Sequence, residues 1–181
     1  PRVPYGVILN RHGKGALIGE LPRGAHNVSV FTPVEARPEG LVGVLPVTEG
    51  GEGRIEFPLA PFLGIMGVAV SDDERPHSVP PGPHGGNIDI KLLTEGSVLY
   101  LPVQVAGALA YVGDPHFAQG DGEVALTALE ASLRATLQFE VVPREVALAE
   151  FGEIVGPLVR TDEYLVPTGM DVDLNVAMRN A

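Results

Sequence analysis

The sequence predicts a mainly β protein, with jelly-roll or barrel-like sheets and few helices, and three observations favour that class. Glycine and proline are frequent, at 23 and 17 residues, yet 45% of the chain is hydrophobic, which is too much for a disordered protein. The apolar residues occur in short runs between turn-forming residues. Residues 133–141 alternate apolar and polar side chains as a half-buried strand does.

The individual strands and loops follow from local patterns. Residues 57–70 run from a proline-rich start into an apolar strand, and residues 71–86 are expected to form a long surface loop. Strands are expected at 88–92 and 98–103, joined by a turn at 94–97. Pro102 restricts the second of these strands to a sheet edge or a bulge, because proline cannot donate a hydrogen bond to a neighbouring strand.

Two segments have helical character. Residues 145–154 show it weakly, and a second helix is expected to begin at Thr168. Thr168 and Asp171 have the spacing of an N-cap residue and its acidic partner.

The composition excludes several classes of function. Cysteine is absent, which excludes thiolate nucleophiles, iron–sulfur clusters and cysteine-bound zinc. The formal net charge of -11 argues against nucleic acid or an anionic membrane as a partner and favours a small neutral or cationic molecule. The most apolar stretch, 98–112, is interrupted by Pro102 and Gln104 and is too short to cross a bilayer, so a soluble protein is expected.

Candidate functional residues are concentrated in two glycine-rich blocks, 84–89 and 113–123. Histidine and carboxylate suit hard or borderline divalent metals, and glycine permits the turns that bring such groups together. Taken singly, each acid beside a glycine is better explained as a turn former. Three pairs spaced two residues apart, together with two histidines, favour a site instead. The pairs are Asn87 and Asp89, Asp114 and His116, and Asp121 and Glu123.

Other motifs are weaker or missing. His12 lies in a glycine-rich basic segment that is better explained as a turn, and His26 and His77 are expected in exposed loops. Ser78 and Ser97 have no base nearby in the sequence. The chain contains no HExxH, GxSxG or GxGxxG motif, which excludes the common zinc peptidase, esterase and dinucleotide-binding interpretations.

Four blocks in order, 64–69, 81–89, 101–103 and 113–123, resemble the acetamidase/formamidase family, which includes γ-lactam hydrolases. The resemblance is strong from Gly64 to Glu123 and loose elsewhere. The HGGN-x-D block of the family falls on 84–89, and its GD-x-H-x-x-QGDGE block falls on 113–123.

The resemblance implies hydrolysis of the C–N bond of short carboxamides to a carboxylate and ammonia, by an oligomeric cytoplasmic enzyme on a mostly β scaffold. Family members are usually longer at both ends. Residues 1–181 are therefore expected to form a single β-rich catalytic region of a longer β-rich α+β enzyme, with a sub-boundary near 143–157. A missing amino-terminal segment or a second chain would supply any further ligand.

The chemistry of amide hydrolysis suggests a role for each residue, because the carbonyl must be polarised, water activated and the departing nitrogen protonated. In this hypothesis a zinc-like ion and Glu123, as general base and then acid, perform those steps, while other groups steady the oxyanion or orient the amide. The metal ligands would be Asp89, Asp114 and His116; the oxyanion would be steadied by His84 or Asn87, and Gln119 would orient the amide.

Alternatives remain open at this stage. Asp89 could support a histidine instead of binding the metal. A metal-free mechanism would use a Glu–His pair with backbone amides as the oxyanion hole. A β-rich binding module for small molecules or sugars would use the same groups without chemistry, and acidic turns could bind calcium for stability, although no EF-hand spacing is present.

Overall fold

A computed structural model describes residues 3–48, 52–71 and 75–181. The protein is mainly β, as the sequence predicts, and its sheets are antiparallel. The strands of the described part are β1 Tyr5–Asn10, β2 Val28–Arg37, β3 Gly40–Pro46, β4 Arg54–Pro58, β5 Phe62–Gly67, β6 Gly85–Asn87, β7 Val98–Tyr100, β8 Tyr111–Ala118, β9 Leu129–Glu130, β10 Leu158–Arg160 and β11 Leu165–Pro167, and its helices are α1 Arg144–Phe151 and α2 Leu174–Asn180.

The chain divides into two compact units. Unit 1 contains Pro1–Phe62 and Asp114–Ala135, and unit 2 contains Leu63–Gly113 and Thr136–Ala181. Strands β5 and β8 carry the chain from one unit to the other. The single catalytic region expected for residues 1–181, with a sub-boundary near 143–157, stays a prediction, since the units are defined by contacts and not by function.

Unit 1 is built on antiparallel strands in the order β4-β3-β2-β1-β9-β8. The short strand β9 pairs with β1 through Val7 and Glu130, and with β8 through His116 and Glu130. A Cβ on Gly6 would lie 2.6 Å from Cγ of Leu129, so glycine is what allows β9 to approach β1. The buried apolar side chains of this unit are Val44, Phe62, Phe117, Ala128 and Leu129.

Unit 2 contains two groups of strands. Strand β6 pairs antiparallel with β5, with Ile65 opposite Asn87 and Gly67 opposite Gly85. A separate three-stranded sheet has the order β11-β10-β7, which places β7 at an edge. Helix α1 contacts that edge, where the rings of Phe151 and Tyr100 lie 4.9 Å apart. The core of the unit contains Leu63, Val68, Leu93, Leu158 and Val159.

Several local predictions are confirmed. Strand β5 lies within 57–70, and the region after it lacks regular structure as far as β6 in the residues that are described. The turn at 94–97 is closed by a hydrogen bond from Ser97 N to Thr94 O of 3.1 Å. Strand β7 ends before Pro102 at a sheet edge, and α1 coincides with the first expected helix.

Three local predictions are wrong. The expected strand at 88–92 is not formed, because the chain turns at Asp89, whose φ is 46°, and β6 lies just before it. The second helix does not begin at Thr168: its N-cap is Asp173, whose carboxylate accepts hydrogen bonds from Asn175 N at 2.7 Å and Val176 N at 3.2 Å. Residues 133–141 form no strand in the described structure.

No helix in the described ranges has both the length and the apolar character that crossing a membrane requires.

Replacing Phe117 by alanine tests the core of unit 1. Phe117 is fully buried at 0% exposure, so Phe117→Ala is expected to lower the free energy of unfolding by about 3–5 kcal/mol in urea denaturation. Phe31→Ala is the matched control, because Phe31 is 63% exposed and its removal is expected to change stability by less than about 1 kcal/mol. Equal losses from both variants would contradict this description of the core.

Candidate functional site

The centre of the candidate site in unit 1 is the imidazole of His116. This side chain on β8 is 1% exposed, and the ring of Phe62 packs edge-on against it with centroids 5.0 Å apart. Both ring nitrogens face acids. Nε2 lies 3.0 Å from Glu130 Oε2 and 3.4 Å from Asp114 Oδ1, and Nδ1 lies 3.9 Å from Glu123 Oε1.

Strand pairing explains why Glu130 reaches His116. The two residues are direct partners across β8 and β9, and side chains of directly opposite residues project from the same face of a sheet. The pairing is irregular between His116 and Ala118, where the register shifts. Register shifts of this kind, like β-bulges, change the direction of neighbouring side chains, and bulges are frequent next to active sites.

His116 and Glu130 each stabilise the charged form of the other. Burial lowers the pKa of His116, but the contact with Glu130 and the charges of Glu130, Asp114 and Glu123 outweigh burial and raise that pKa above its ordinary value. Burial raises the pKa of Glu130, and this effect is outweighed by its contacts with His116, Ala128 N and Thr127, so the net pKa is lowered. The carboxylates of Glu130, Asp114 and Glu123 therefore stabilise positive charge at His116.

Glu123 is held in a defined position beside the histidine. Its side chain is 15% exposed, and its Oε1 accepts a hydrogen bond of 2.8 Å from Gln119 Nε2. The amide of Gln119 thus orients the carboxylate, while its suggested contact with a substrate stays a prediction. The hydrogen bond from Leu126 N to Glu123 O, at 2.8 Å, fixes the backbone as well.

Three acids predicted from the sequence have left-handed backbone conformations. The φ angles are 46° at Asp89, 51° at Asp114 and 42° at Glu123. Side chains with a Cβ rarely adopt such angles, and the strain costs about 1–3 kcal/mol per residue. Strain of this kind is concentrated at functional sites, where the surrounding structure holds a side chain in a required direction.

A separate feature, in unit 2, is a cavity of about 290 Å³. Its wall includes His84, which is buried, and Asn87, whose Nδ2 donates to Val79 O at 3.1 Å. A Cβ on Gly86 would lie 3.2 Å from His84 Nε2, and the φ of Gly86 is 93°, so this position requires glycine. The lining residues are Ile65, Pro76, His77, Ser78, Pro80, His84, Gly86, Asn87 and Tyr111.

Asp89 follows β6 in unit 2 and is partly buried, and its backbone N–H donates to Gly64 O at 3.0 Å. Of the three ligands expected from the sequence, Asp114 and His116 lie together in unit 1, with Asp114 Oδ1 at 3.4 Å from His116 Nε2, and Asp89 belongs to unit 2. One imidazole nitrogen and two carboxylate oxygens are a donor set that fits a borderline divalent cation.

Sequence reasoning missed two residues. Glu130 lies outside both glycine-rich blocks, and nothing local marks it, because its position depends on the pairing of β9 with β8. Tyr111 lines the cavity of unit 2, and burial raises the pKa of its hydroxyl. The signal that the sequence offers is its position near the end of the apolar stretch 98–112, two residues before the second block.

Comparison with known proteins shows which family this chain is similar to. Residues 72–180 match the Acetamidase/Formamidase family. A formamidase from Methylophilus methylotrophus is 55% identical over 51 residues, which are 28% of this chain and 12% of that protein. The structure of a recombinant predicted acetamidase/formamidase from Thermoanaerobacter tengcongensis matches with a TM-score of 0.70 and 26% identity, over 98% of this chain and 52% of that one. A γ-lactamase from Delftia acidovorans, at 22% identity and a TM-score of 0.59 over 92% of this chain and 50% of that one, shares the fold.

The chain therefore belongs to the acetamidase/formamidase family, as its sequence blocks suggest. It spans about half the length of the solved relatives.

The backbone strain at Glu123 can be measured by comparing two substitutions. Glu123→Gly and Glu123→Ala both remove the carboxylate, but only alanine keeps a Cβ at the φ of 42°. The glycine variant is therefore expected to be the more stable of the two by about 1 kcal/mol in urea denaturation. The same pair of substitutions at Glu95, whose φ is not positive, is the control, and there alanine is expected to be at least as stable. An alanine variant as stable as the glycine variant at position 123 would contradict the strain.

Proposed function

We propose that the protein hydrolyses the C–N bond of short linear carboxamides, such as formamide and acetamide, to a carboxylate and ammonia. Membership of the acetamidase/formamidase family supports this reaction class. The observation that carries the proposal is the buried His116 surrounded by the carboxylates of Asp114, Glu123 and Glu130. Such a cluster can bind and move protons in a place from which water is largely excluded.

Glu123 is the proposed general base. Its carboxylate is mostly buried and oriented by Gln119, which keeps one oxygen in a fixed position. A base so placed takes a proton from the attacking water and then donates it to the departing nitrogen, since an amide requires its leaving group to be protonated. Glu130 holds the His116 ring in place through Nε2.

Asp89, Asp114 and His116 are the proposed ligands of a divalent metal, which we take to be zinc. When bound, such an ion polarises a carbonyl and lowers the pKa of a bound water toward neutrality. The presence of an imidazole in the set favours zinc over a structural calcium ion, because calcium prefers oxygen ligands throughout.

The cavity of unit 2 supports a small substrate. Its volume of about 290 Å³ lies just below the range for pockets that hold drug-sized ligands, about 300–1,000 Å³. His84 and Asn87 supply polar groups in its wall, and either is proposed to steady the oxyanion. Asn87 Nδ2 already donates a hydrogen bond to Val79 O.

A metal-free mechanism is the second candidate. The contact of His116 Nε2 with Glu130 Oε2, at 3.0 Å, is within the range that a Glu–His pair needs to activate water directly, and Glu123 Oε1 lies 3.9 Å from the other ring nitrogen. A γ-lactam is a further candidate substrate, and a binding module without chemistry is the alternative to an enzyme. The homo-oligomeric state and the cytoplasmic location stay predictions.

Removing the negative charge of the Glu123 side chain tests its proposed role as the general base. In the full-length enzyme, Glu123→Gln is expected to lower kcat for formamide or acetamide by about 100-fold or more. The reason is that the glutamine side chain cannot take up the proton of the attacking water. Ammonia release is the assay, and Glu95→Gln, at an exposed turn position, is the control expected to keep wild-type turnover. Near-normal turnover of Glu123→Gln would remove this residue from the role.

Chelation distinguishes the two mechanisms. Ammonia release from formamide, acetamide and a γ-lactam is expected to fall on treatment with a chelator and to return with zinc. His116→Ala is expected to lower the zinc content of the purified protein, whereas His12→Ala, outside both glycine-rich blocks, is not. Activity that is indifferent to chelation would favour the Glu–His pair, and no ammonia from any amide would favour the binding module.

A further inference from the structure

Thr127, in the short segment before β9, makes a hydrogen bond to β1. Its Oγ1 accepts the N–H of Leu9 at 2.9 Å, although the two residues lie 118 positions apart in the sequence. Leu9 follows two residues after Val7, which is the partner of Glu130 in the pairing of β1 with β9. The Thr127 hydroxyl therefore binds a main-chain N–H that a longer β9 would bind, and it extends the attachment of this segment to β1.

The same hydroxyl reaches the carboxylate that contacts the histidine. Thr127 Oγ1 lies 3.0 Å from Ala128 O and 3.3 Å from Glu130 Oε1. A hydroxyl has one hydrogen, so it donates to one of these two acceptors at a time. A bond to Ala128 O stabilises only the backbone, whereas a bond to Glu130 Oε1 acts on the candidate site.

The two carboxylate oxygens of Glu130 have different partners. Oε1 accepts a hydrogen bond of 3.2 Å from Ala128 N and lies beside the Thr127 hydroxyl. Oε2 lies 3.0 Å from His116 Nε2. Because a carboxylate is planar, contacts that hold Oε1 also fix the direction of Oε2. The groups that bind Oε1 therefore influence how Glu130 meets the imidazole, as supporting groups around a site commonly do.

A second contact attaches the chain after β1 to the same region. Ala16 N donates to Val124 O at 2.7 Å. Together with the bond from Leu9 to Thr127, this contact holds the segment 124–130 against residues 7–16. Residues 7–16 precede the range that matches the family, so a part of the chain outside that range supports the site.

We propose that Thr127 is a positioning residue of the candidate site. Its hydroxyl joins β1 to the Glu130 carboxylate and so sets the direction in which Glu130 contacts His116. Thr127 needs no contact with a substrate for this role, because it acts through Glu130. The expected effect on catalysis rests on the proposed amide hydrolysis, but the expected effect on the geometry does not.

Two substitutions of Thr127 in the full-length enzyme test this role. Thr127→Val keeps the branched shape but removes the hydroxyl, and it is expected to lower kcat for formamide about tenfold with KM nearly unchanged. Thr127→Ser retains the hydroxyl and is expected to keep kcat close to the wild-type value. The matched control is Thr161→Val, because Thr161 Oγ1 also accepts a main-chain N–H, that of Tyr164 at 2.9 Å, in a turn of unit 2. This control is expected to leave kcat unchanged.

A double-mutant cycle separates positioning from a general loss of stability. If Thr127 acts through Glu130, adding Thr127→Val to a Glu130→Ala enzyme is expected to cause no further loss of kcat. Equal losses with and without the Glu130 carboxylate would overturn the proposal. So would a Thr127→Ser variant that loses as much activity as Thr127→Val. If valine prevents folding, Thr127→Ala takes its place as the variant without a hydroxyl, with the same expectations.

A crystal structure of the Thr127→Val enzyme tests the geometry without an activity assay. Glu130 Oε2 is expected to move out of hydrogen-bond distance of His116 Nε2. An Oε2 that stays in its wild-type position would overturn the positioning role. A wild-type enzyme that releases no ammonia from any amide would count against the proposed function alone, and the crystal structure would still decide the role of Thr127.

Discussion

The site in unit 1 depends on the burial of one imidazole among acids. Removing His116 and its neighbouring carboxylates from water is costly, and close contacts among them have to offset that cost. Three features of the structure support these contacts. They are the packing of Phe62, the pairing of β9 with β8 and the left-handed backbone at Asp114 and Glu123. The positive φ angles at Asp114 and Glu123 are unfavourable by themselves, but both residues place a carboxylate beside His116.

The same constraint links the two mechanisms for the proposed reaction. Three carboxylates around a histidine favour positive charge at that point, and either a proton or a divalent cation provides it. A metal would compete with the proton on His116, since a ligand nitrogen must be deprotonated. Both mechanisms thus depend on the same negative potential at the site. They differ in whether a proton or a divalent metal ion neutralises it.

Local patterns in the sequence predicted the mainly β class and a few individual elements of the fold. Strand β5, the turn at 94–97 and helix α1 follow from short-range patterns of apolar, turn-forming and helix-forming residues. Glu130 could not be found in this way, because its contact with His116 arises from pairing between strands that are separate in sequence. The pattern in 133–141 is equally clear, but alternation specifies a face to be buried and not the strand that buries it.

Strand β9 has a further consequence for how the protein responds to heat. It contains two residues and joins β1 to β8 in the strand order, so few main-chain hydrogen bonds hold it. Short elements of this kind open locally at a lower free energy than the core around them. Opening of β9 would withdraw Glu130 from His116 while β2, β3 and β4 stay paired. Loss of the contact between Glu130 and His116 on warming is therefore expected to precede global unfolding.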